Sequence, residues 1–276
     1  MINLFNYIDR PSPVHKLTGA TKLVCTVMWT LSAMVTYDTR LLLFMPVIAL
    51  ILFRFSKIRF SDIKVMLWAT LCFMVLNNVM VFVLSPQHGC TIYGSKHVLF
   101  GGDRRYAVTA EQLFYHLNLL LKYFAQVPMI ILFISTTDPS EFAASLNRIG
   151  VSYKIAYSVA LALRYIPDIQ REFTDISQAQ QARGIEMSKK ESLVKRLKSA
   201  SAIIIPLILS SMDRIEVISN AMELRGFGKH PKRTWYVARR FRTADIVCMA
   251  LSVLLFVLSV AGILISGSRF YNPFLP

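Results

Sequence analysis

The sequence predicts an all-α integral membrane protein with about five transmembrane helices and a cytosolic helical region whose two long helices end in Arg-Gly motifs. Three observations lead there. The 276 residues are 54% hydrophobic and 17% charged, with a mean hydropathy of +0.48, too apolar for an ordinary soluble domain of this length. Several uncharged runs are long enough, or nearly so, to cross a bilayer. Charge is crowded into one stretch, since 18 of the 31 basic and 11 of the 16 acidic residues fall between Asp138 and Asp245.

Taken in order, Met1 to Lys22 carries Asp9, Arg10, Pro11 and Pro13 ahead of any apolar run, the wrong order for a cleavable signal, so the first helix is expected to stay. Leu23 to Tyr37 and Leu41 to Phe53 are short apolar runs parted by Asp38, Thr39 and Arg40. They fit a helical hairpin lengthened by snorkelling of Lys22, Arg54 and Lys57. Val65 to Leu84 and Ile246 to Gly267 are uncharged and span unaided. A further span runs from about Leu113 to Thr137 and includes His116, Lys122 and Pro128. Ser85 to Glu111, broken by Pro86, Gly89, Gly94, Gly101 and Gly102, reads as a turn-rich connector with room for a short hairpin.

In the charged stretch, Asp138-Pro139-Ser140-Glu141 offers helix-start chemistry, and Asn147 to Gly150 a stop. A long helix follows from Ser152 to about Ala182, bent at Pro167 because proline removes a backbone hydrogen bond. Lys189 to Lys198 leads into a second long helix ending near Leu224, where Leu193, Leu197, Ala200, Ile204, Leu207, Ile215, Ile218 and Met222 mostly recur at three- and four-residue steps. Its uncharged part, Ser199 to Met212, suits an interfacial helix rather than a span. The expected organisation is a membrane region of four helices over 1–137, a cytosolic region over 138–242, and a last transmembrane helix with a short extracytoplasmic tail over 243–276. Basic residues set the orientation. Arg10, Lys16, Lys22, Arg54, Lys57, Arg59 and Lys64 fall on the side of the N-terminus, against Arg40, Lys96, Arg104 and Arg105 opposite, which puts the N-terminus and the charged stretch in the cytoplasm and the C-terminus outside.

The excess of 31 basic over 16 acidic residues suits an anionic membrane surface or an acidic partner, and the apolar content disfavours nucleic acid. Cys25, Cys72, Cys90 and Cys248 are far apart and define no disulfide framework; His88 and His97 flank Cys90 at spacings that fit no zinc pattern. Asn77 and Asn78 sit mid-span, where an interhelical hydrogen bond is the expected role. Phosphate-loop, Gly-x-Ser-x-Gly and His-Glu-x-x-His patterns are lacking, and the uncharged cores of the spans hold no carboxylate, so the sequence offers no catalytic constellation.

One short pattern occurs twice. Ala179-Gln-Gln-Ala182-Arg183-Gly184-Ile185 and Ala221-Met-Glu-Leu224-Arg225-Gly226-Phe227 share Ala-x-x-x-Arg-Gly and an apolar residue, 42 positions apart, each at the expected C-terminus of a long helix. Glycine supplies the left-handed residue that ends a helix, and arginine in the last turn complements the dipole and can dock its planar fork to another chain.

With Leu161-Ala-Leu-Arg-Tyr-Ile-Pro167 upstream of the first copy and Pro13-Val-His-Lys16 at the entry, these motifs resemble the transmembrane T component (EcfT family) of energy-coupling-factor ABC transporters, over nearly the whole chain. The resemblance implies a non-catalytic subunit whose coupling arginines match Arg183 and Arg225, flanked by Ala182, Gly184, Leu224 and Gly226. It implies two cytosolic ABC ATPases as partners, with ATP and Mg bound there and no cofactor on this chain. It also implies a substrate-binding membrane subunit (S component) docked on a hydrophobic face, for which Leu197, Ile204, Leu207 and Ile215 are the candidates, in uptake of a vitamin or other micronutrient. The rival readings are a conventional ABC permease that forms the substrate path itself, and a membrane-bound enzyme holding a phosphorylated or lipid substrate on its basic region.

Overall fold

The structure, a computed structural model, describes residues 12–100, 102, 106–184, 193–230, 233–236 and 239–274. It divides into two compact units, Met1–Asp138 with Arg239–Pro276, and Pro139–Ala238.

The first unit holds helices α1 (Gly19–Val35), α2 (Thr39–Ser56), α3 (Phe60–Leu84), α4 (His88–Tyr93) and α5 (Ala110–Thr136), the strand pair β1 (Val98–Phe100) and β2 (Val108–Thr109) and, from the other end of the sequence, a helix over Thr243–Ser266. The second unit holds α6 (Pro139–Arg148), α7 (Tyr153–Ala182) and α8 (Leu193–Leu224), so Thr243–Ser266 is α9. Four helices, over Thr39–Ser56, Ile63–Leu84, Ala110–Thr136 and Thr243–Ser266, are long and apolar enough to cross a membrane, and α1 is a shorter apolar helix of 17 residues. The chain is thus an all-α membrane protein.

Capping chemistry sets the ends. Thr18 accepts from the Thr21 amide to open α1, Asp38 from Arg40 to open α2, and Thr109 from Gln112 to open α5. The core of the membrane unit is built where small residues let backbones approach: Ala33 of α1, Ala49 of α2 and Ala125 of α5 are fully buried around Trp29, Met45 and Met129. The Trp29 indole donates to Ala125 O at 2.9 Å. Helix α3 packs along α5 and, at its start, sets Phe60 against Phe53 of α2, while Trp68, Leu71, Phe73, Leu76 and Val79 are exposed, as on a helix facing lipid tails.

Several sequence expectations change in the packed chain. Lys22 does not snorkel: it is 4% exposed and its ammonium donates to Thr136 O at 2.8 Å, at the C-terminal end of α5 where the helix dipole is negative. Helix α3 begins at Phe60, ahead of the uncharged run that starts at Val65. His116 and Asn78, read from sequence as separate features, hydrogen-bond each other at 3.0 Å across α5 and α3. The connector before α5 folds as α4 and the hairpin β1–β2, and Glu111, fully buried, takes the His97 ring at 2.6 Å together with the Ser95 hydroxyl. After α9, the C-terminal segment lies on this connector and on the α1–α2 turn. Tyr37 N donates to Arg269 O at 2.9 Å, the Phe270 ring lies tilted against Tyr37 with centroids 4.5 Å apart, and Asn272 Nδ2 donates to Tyr93 O at 2.9 Å.

Candidate functional site

The candidate site is the helix pair of the second unit. Helix α7 starts at Ser152, whose hydroxyl accepts from Ile155 N, and runs unbroken through Pro167 to Ala182. Helix α8 returns antiparallel. Gln180 Nε2 donates to Ala202 O at 3.2 Å, and one residue of α7, Glu172, accepts from both Ser210 and Arg214 of α8, the latter at 2.7 Å. The α8 side chains of this seam are Ile203, fully buried, and Leu207, Ser210, Arg214 and Ile218, half-buried at heptad-like steps.

Both repeated motifs terminate these helices in the way their glycines suggest. At the end of α7, Gly184 has φ +85° and its amide reaches Gln181 O at 2.9 Å, while Arg183 N bonds back to Ala179 O and Gln180 O. At the end of α8, Gly226 has φ +67°, its amide reaches Glu223 O at 2.8 Å and Phe227 N reaches Met222 O at 2.9 Å, the paired bonds of a Schellman stop. Any side chain would strain either glycine, because only glycine enters the left-handed region without cost. Ala182, Arg183, Gly184, Leu224 and Arg225 are all exposed, and neither guanidinium has an ion-pair partner among the described residues. Leu224 is 90% exposed, a bare leucine beside a bare arginine.

Antiparallel pairing puts the two arginines at opposite ends of the pair. With Gln180 level with Ala202, Arg183 lies near the start of α8 and Arg225 about 26 residues further on, a separation of roughly 40 Å at 1.5 Å per residue. Two such points suit two separate docking surfaces rather than one shared cleft.

The Arg225 end is also elaborately built. Phe227 lies against Tyr153 at 5.5 Å and Tyr157 at 5.0 Å; Trp235 faces Tyr157 at 6.3 Å and its indole donates to Asn147 Oδ1 at 3.0 Å. Arg233 donates to Arg225 O and Gly226 O at 3.0 and 2.9 Å, satisfying carbonyls that the helix end leaves over. A cavity of about 600 Å³ opens here, lined by Leu161, Arg164 and Tyr165 of α7 and by Met222, Arg225 and Trp235 among others. The Leu161–Pro167 segment and the second Arg-Gly motif, separate in sequence, thus meet at one pocket.

Of the residues expected to face a membrane partner, Ile204 and Ile215 are 47% and 61% exposed, whereas Leu207 is half-buried on the seam side; Leu197 lies in α8 with its side chain outside the described part. The sequence periodicity implied one apolar face. Helix α8 carries two: the seam, and an outer stripe of Ile204, Ile205, Ile208, Leu209, Met212 and Ile215, all exposed. Ile205, Ile208, Leu209 and Met212 escaped the spacing argument because the helix is apolar all round between Ser199 and Met212.

The comparison with known proteins agrees with this architecture. A family model described as CbiQ, cobalt transport protein, matches residues 10–236. The energy-coupling factor transporter transmembrane protein EcfT of Staphylococcus aureus (strain 04-02981) is 26% identical, with 93% of this chain and 97% of the relative covered. The EcfT proteins of Heliobacterium modesticaldum and Clostridium kluyveri are 28% and 22% identical, covering 84% and 94% of this chain and 86% and 96% of the relatives. Because the family match spans most of the sequence and these relatives align over nearly their full length, the chain belongs to the CbiQ cobalt transport protein family, as a multi-pass energy-coupling transmembrane component of the EcfT type.

Proposed function

We propose that the chain carries ATP-driven motion of two cytosolic ABC ATPase subunits to a substrate-binding membrane subunit, for uptake of a vitamin or other micronutrient, and catalyses no reaction itself. Arg183, with Ala182 and Gly184, and Arg225, with Leu224 and Gly226, each dock on one ATPase; ATP and Mg are bound and ATP is hydrolysed on those partners. The outer face of α8 takes the substrate-binding subunit. The N-terminus and the α6–α8 unit are cytoplasmic and the C-terminal tail is extracytoplasmic, following the distribution of basic residues.

The observation that carries this reading is the pair of exposed Arg-Gly helix ends set roughly 40 Å apart on one antiparallel helix pair. Closure of two ATPases on ATP would move the two ends toward each other, and the change would pass along α7 and α8 to whatever lies on the outer stripe. Replacing Arg183 and Arg225 together by Ala tests it. In proteoliposomes holding all four subunits, ATP-driven uptake is expected to vanish while membrane insertion is kept; uptake at the wild-type rate would sink the assignment.

A further inference from the structure

We propose that a cavity at the C-terminal end of α9 binds one phospholipid of the ethanolamine class, with its phosphate at Arg269, its ammonium at Asp38 and an acyl chain lying along α9. The site belongs to the membrane unit alone and does not depend on the coupling role of the Arg-Gly helix ends.

The cavity, of about 450 Å³, is walled by the last turns of α9, the α1–α2 turn, the start of α2, α4 and the segment from Ser268 to Asn272. Its lining is polar at one end and apolar at the other: Asp38, Arg269 and Asn272 belong to the turn and the segment beyond α9, whereas Leu41, Leu258 and Ile263 belong to the helices. Leu258 is eight residues before Ser266, where α9 stops, so the cavity follows the helix for about 12 Å. Leu258 is itself exposed, as are Leu251 and Leu254 one and two turns before it. The apolar end therefore opens sideways onto a membrane-spanning surface that meets lipid tails.

Gly262, on the cavity wall, stands inside α9 without the positive φ of a turn, and a Cβ placed there would meet nothing within 4 Å. Glycine weakens a helix, and no neighbour in this chain requires it there, so the bare backbone is open to something from outside the chain. At the polar end, Asp38 and Arg269 carry opposite charges into one cavity yet form no ion pair with each other or with any other described residue. The cations nearby are engaged: Arg40 lies 4.3 Å over the Tyr271 ring and donates to its hydroxyl, and Lys122 lies over the Tyr37 ring and donates to Met34 O at 3.0 Å. A headgroup with a phosphate and an ammonium on a short bridge joins the two charges that the chain leaves apart. The negative end of the α9 dipole lies at the same place and adds to the attraction for the ammonium. A helix of another protein fits less well. The segment beyond α9 is tied down by the Tyr37–Arg269 and Asn272–Tyr93 hydrogen bonds, so an entering helix would have to stop beneath it with its end groups unpaired, whereas an acyl chain ends under its own headgroup.

The test uses the full chain, stripped of lipid in detergent, and native mass spectrometry with added phosphatidylethanolamine, phosphatidylcholine or phosphatidylglycerol of identical acyl chains. One phosphatidylethanolamine is expected to be retained, roughly fivefold or more tighter than phosphatidylcholine, whose methylated ammonium cannot donate to Asp38, and than phosphatidylglycerol, which has no ammonium. Arg269→Ala, and Asp38→Asn, which keeps an oxygen for the Arg40 amide, should each weaken that binding roughly tenfold. Gly262→Leu fills the groove without a clash and should abolish it. Equal retention of the three lipids, or wild-type retention of phosphatidylethanolamine by Arg269→Ala or Gly262→Leu, would overturn the proposal. A photo-crosslinking benzoylphenylalanine in place of Leu258, activated in the membrane before purification, reads the occupant directly: attachment to phosphatidylethanolamine supports the proposal, and attachment to another polypeptide defeats it.

Discussion

The side-chain amide of Gln180 in α7 donates to the carbonyl oxygen of Ala202 in α8 at 3.2 Å, and Ala202 is four residues before Pro206. In an unbroken helix that oxygen would take the amide of residue 206, which proline lacks. The neighbouring helix therefore supplies the missing donor, three residues before the Arg183 that ends it. Pro206 is a joint between the two helices as well as a fault in one of them.

Gln180→Ala is expected to cost about 1 kcal/mol, the loss of one hydrogen bond to a half-covered carbonyl. In a Pro206→Ala background, where the helix satisfies its own oxygen, the same change should cost close to nothing. Thermal unfolding of the two single variants and the double variant in detergent measures the coupling. Equal costs of Gln180→Ala in both backgrounds would show that the proline and the glutamine act independently.

Why the helices were legible and their partners were not follows from the same pair. Helix ends are written locally: Thr18, Asp38, Thr109 and Ser152 as caps, Gly184 and Gly226 as stops, and each boundary can be read from a few neighbouring residues. Contacts such as Gln180 with Ala202, Lys22 with Thr136 and Glu111 with His97 depend on which helices become neighbours, which periodicity does not encode. The repeated Arg-Gly motif was visible in sequence, but its two copies lie at opposite ends of an antiparallel pair, and that is a tertiary fact. The pocket beside Arg225 was hidden for another reason: its walls come from Ser140, from between Tyr153 and Tyr165, from between Ile218 and Phe227 and from Arg233 to Tyr236, parts of the sequence that carry no shared motif.

The outer stripe of α8 makes a separate prediction. Ile208 and Leu209 are 52% and 58% exposed and lie between Ile204 and Met212, on the side of the helix away from Glu172. Leu209→Arg should leave α7 and α8 packed, because the seam residues Ile203 and Ser210 are untouched. It should abolish copurification of the substrate-binding subunit while the ATPases still copurify, since a charge buried at an apolar interface costs several kcal/mol when unpaired. Retention of the substrate-binding subunit at wild-type yield would place its interface elsewhere.

Asp245 ties the start of the last membrane helix to the start of the first. It is 1% exposed; one carboxylate oxygen accepts from Thr18 N and the other from Arg242 N, both at 2.8 Å. Sequence alone placed it at the edge of the charged stretch, with no partner. Asp245→Ala strands two backbone amides and removes the cap of α9, and is expected to destabilise the protein by about 2 to 3 kcal/mol. Asp245→Asn keeps one acceptor and should lose roughly half as much. Melting temperatures in detergent would rank the three proteins, and an Asn variant no more stable than the Ala variant would mean that the negative charge, not the hydrogen bonds, holds the junction.

Gly89 opens α4 against α5 at a distance that admits no side chain. A Cβ placed there would lie 2.6 Å from Glu111 O and 2.7 Å from the Gln112 backbone, far inside van der Waals contact and against atoms fixed in the first turn of α5. The close approach also lets Gly89 N donate to Gln112 Oε1 at 2.7 Å, and Gln112 in turn reaches His116, which bonds Asn78 of α3. Gly89→Ala must therefore push α4 off α5 and disturb a chain of hydrogen bonds that ends on α3. The expected cost is about 2 kcal/mol, within the range for overpacking a close contact. Because the strain is steric, Gln112→Ala should not relieve it, as the clash is with backbone atoms that remain. A Gly89→Ala protein that melts with the wild type would show that α4 does not rest on α5 in the folded chain.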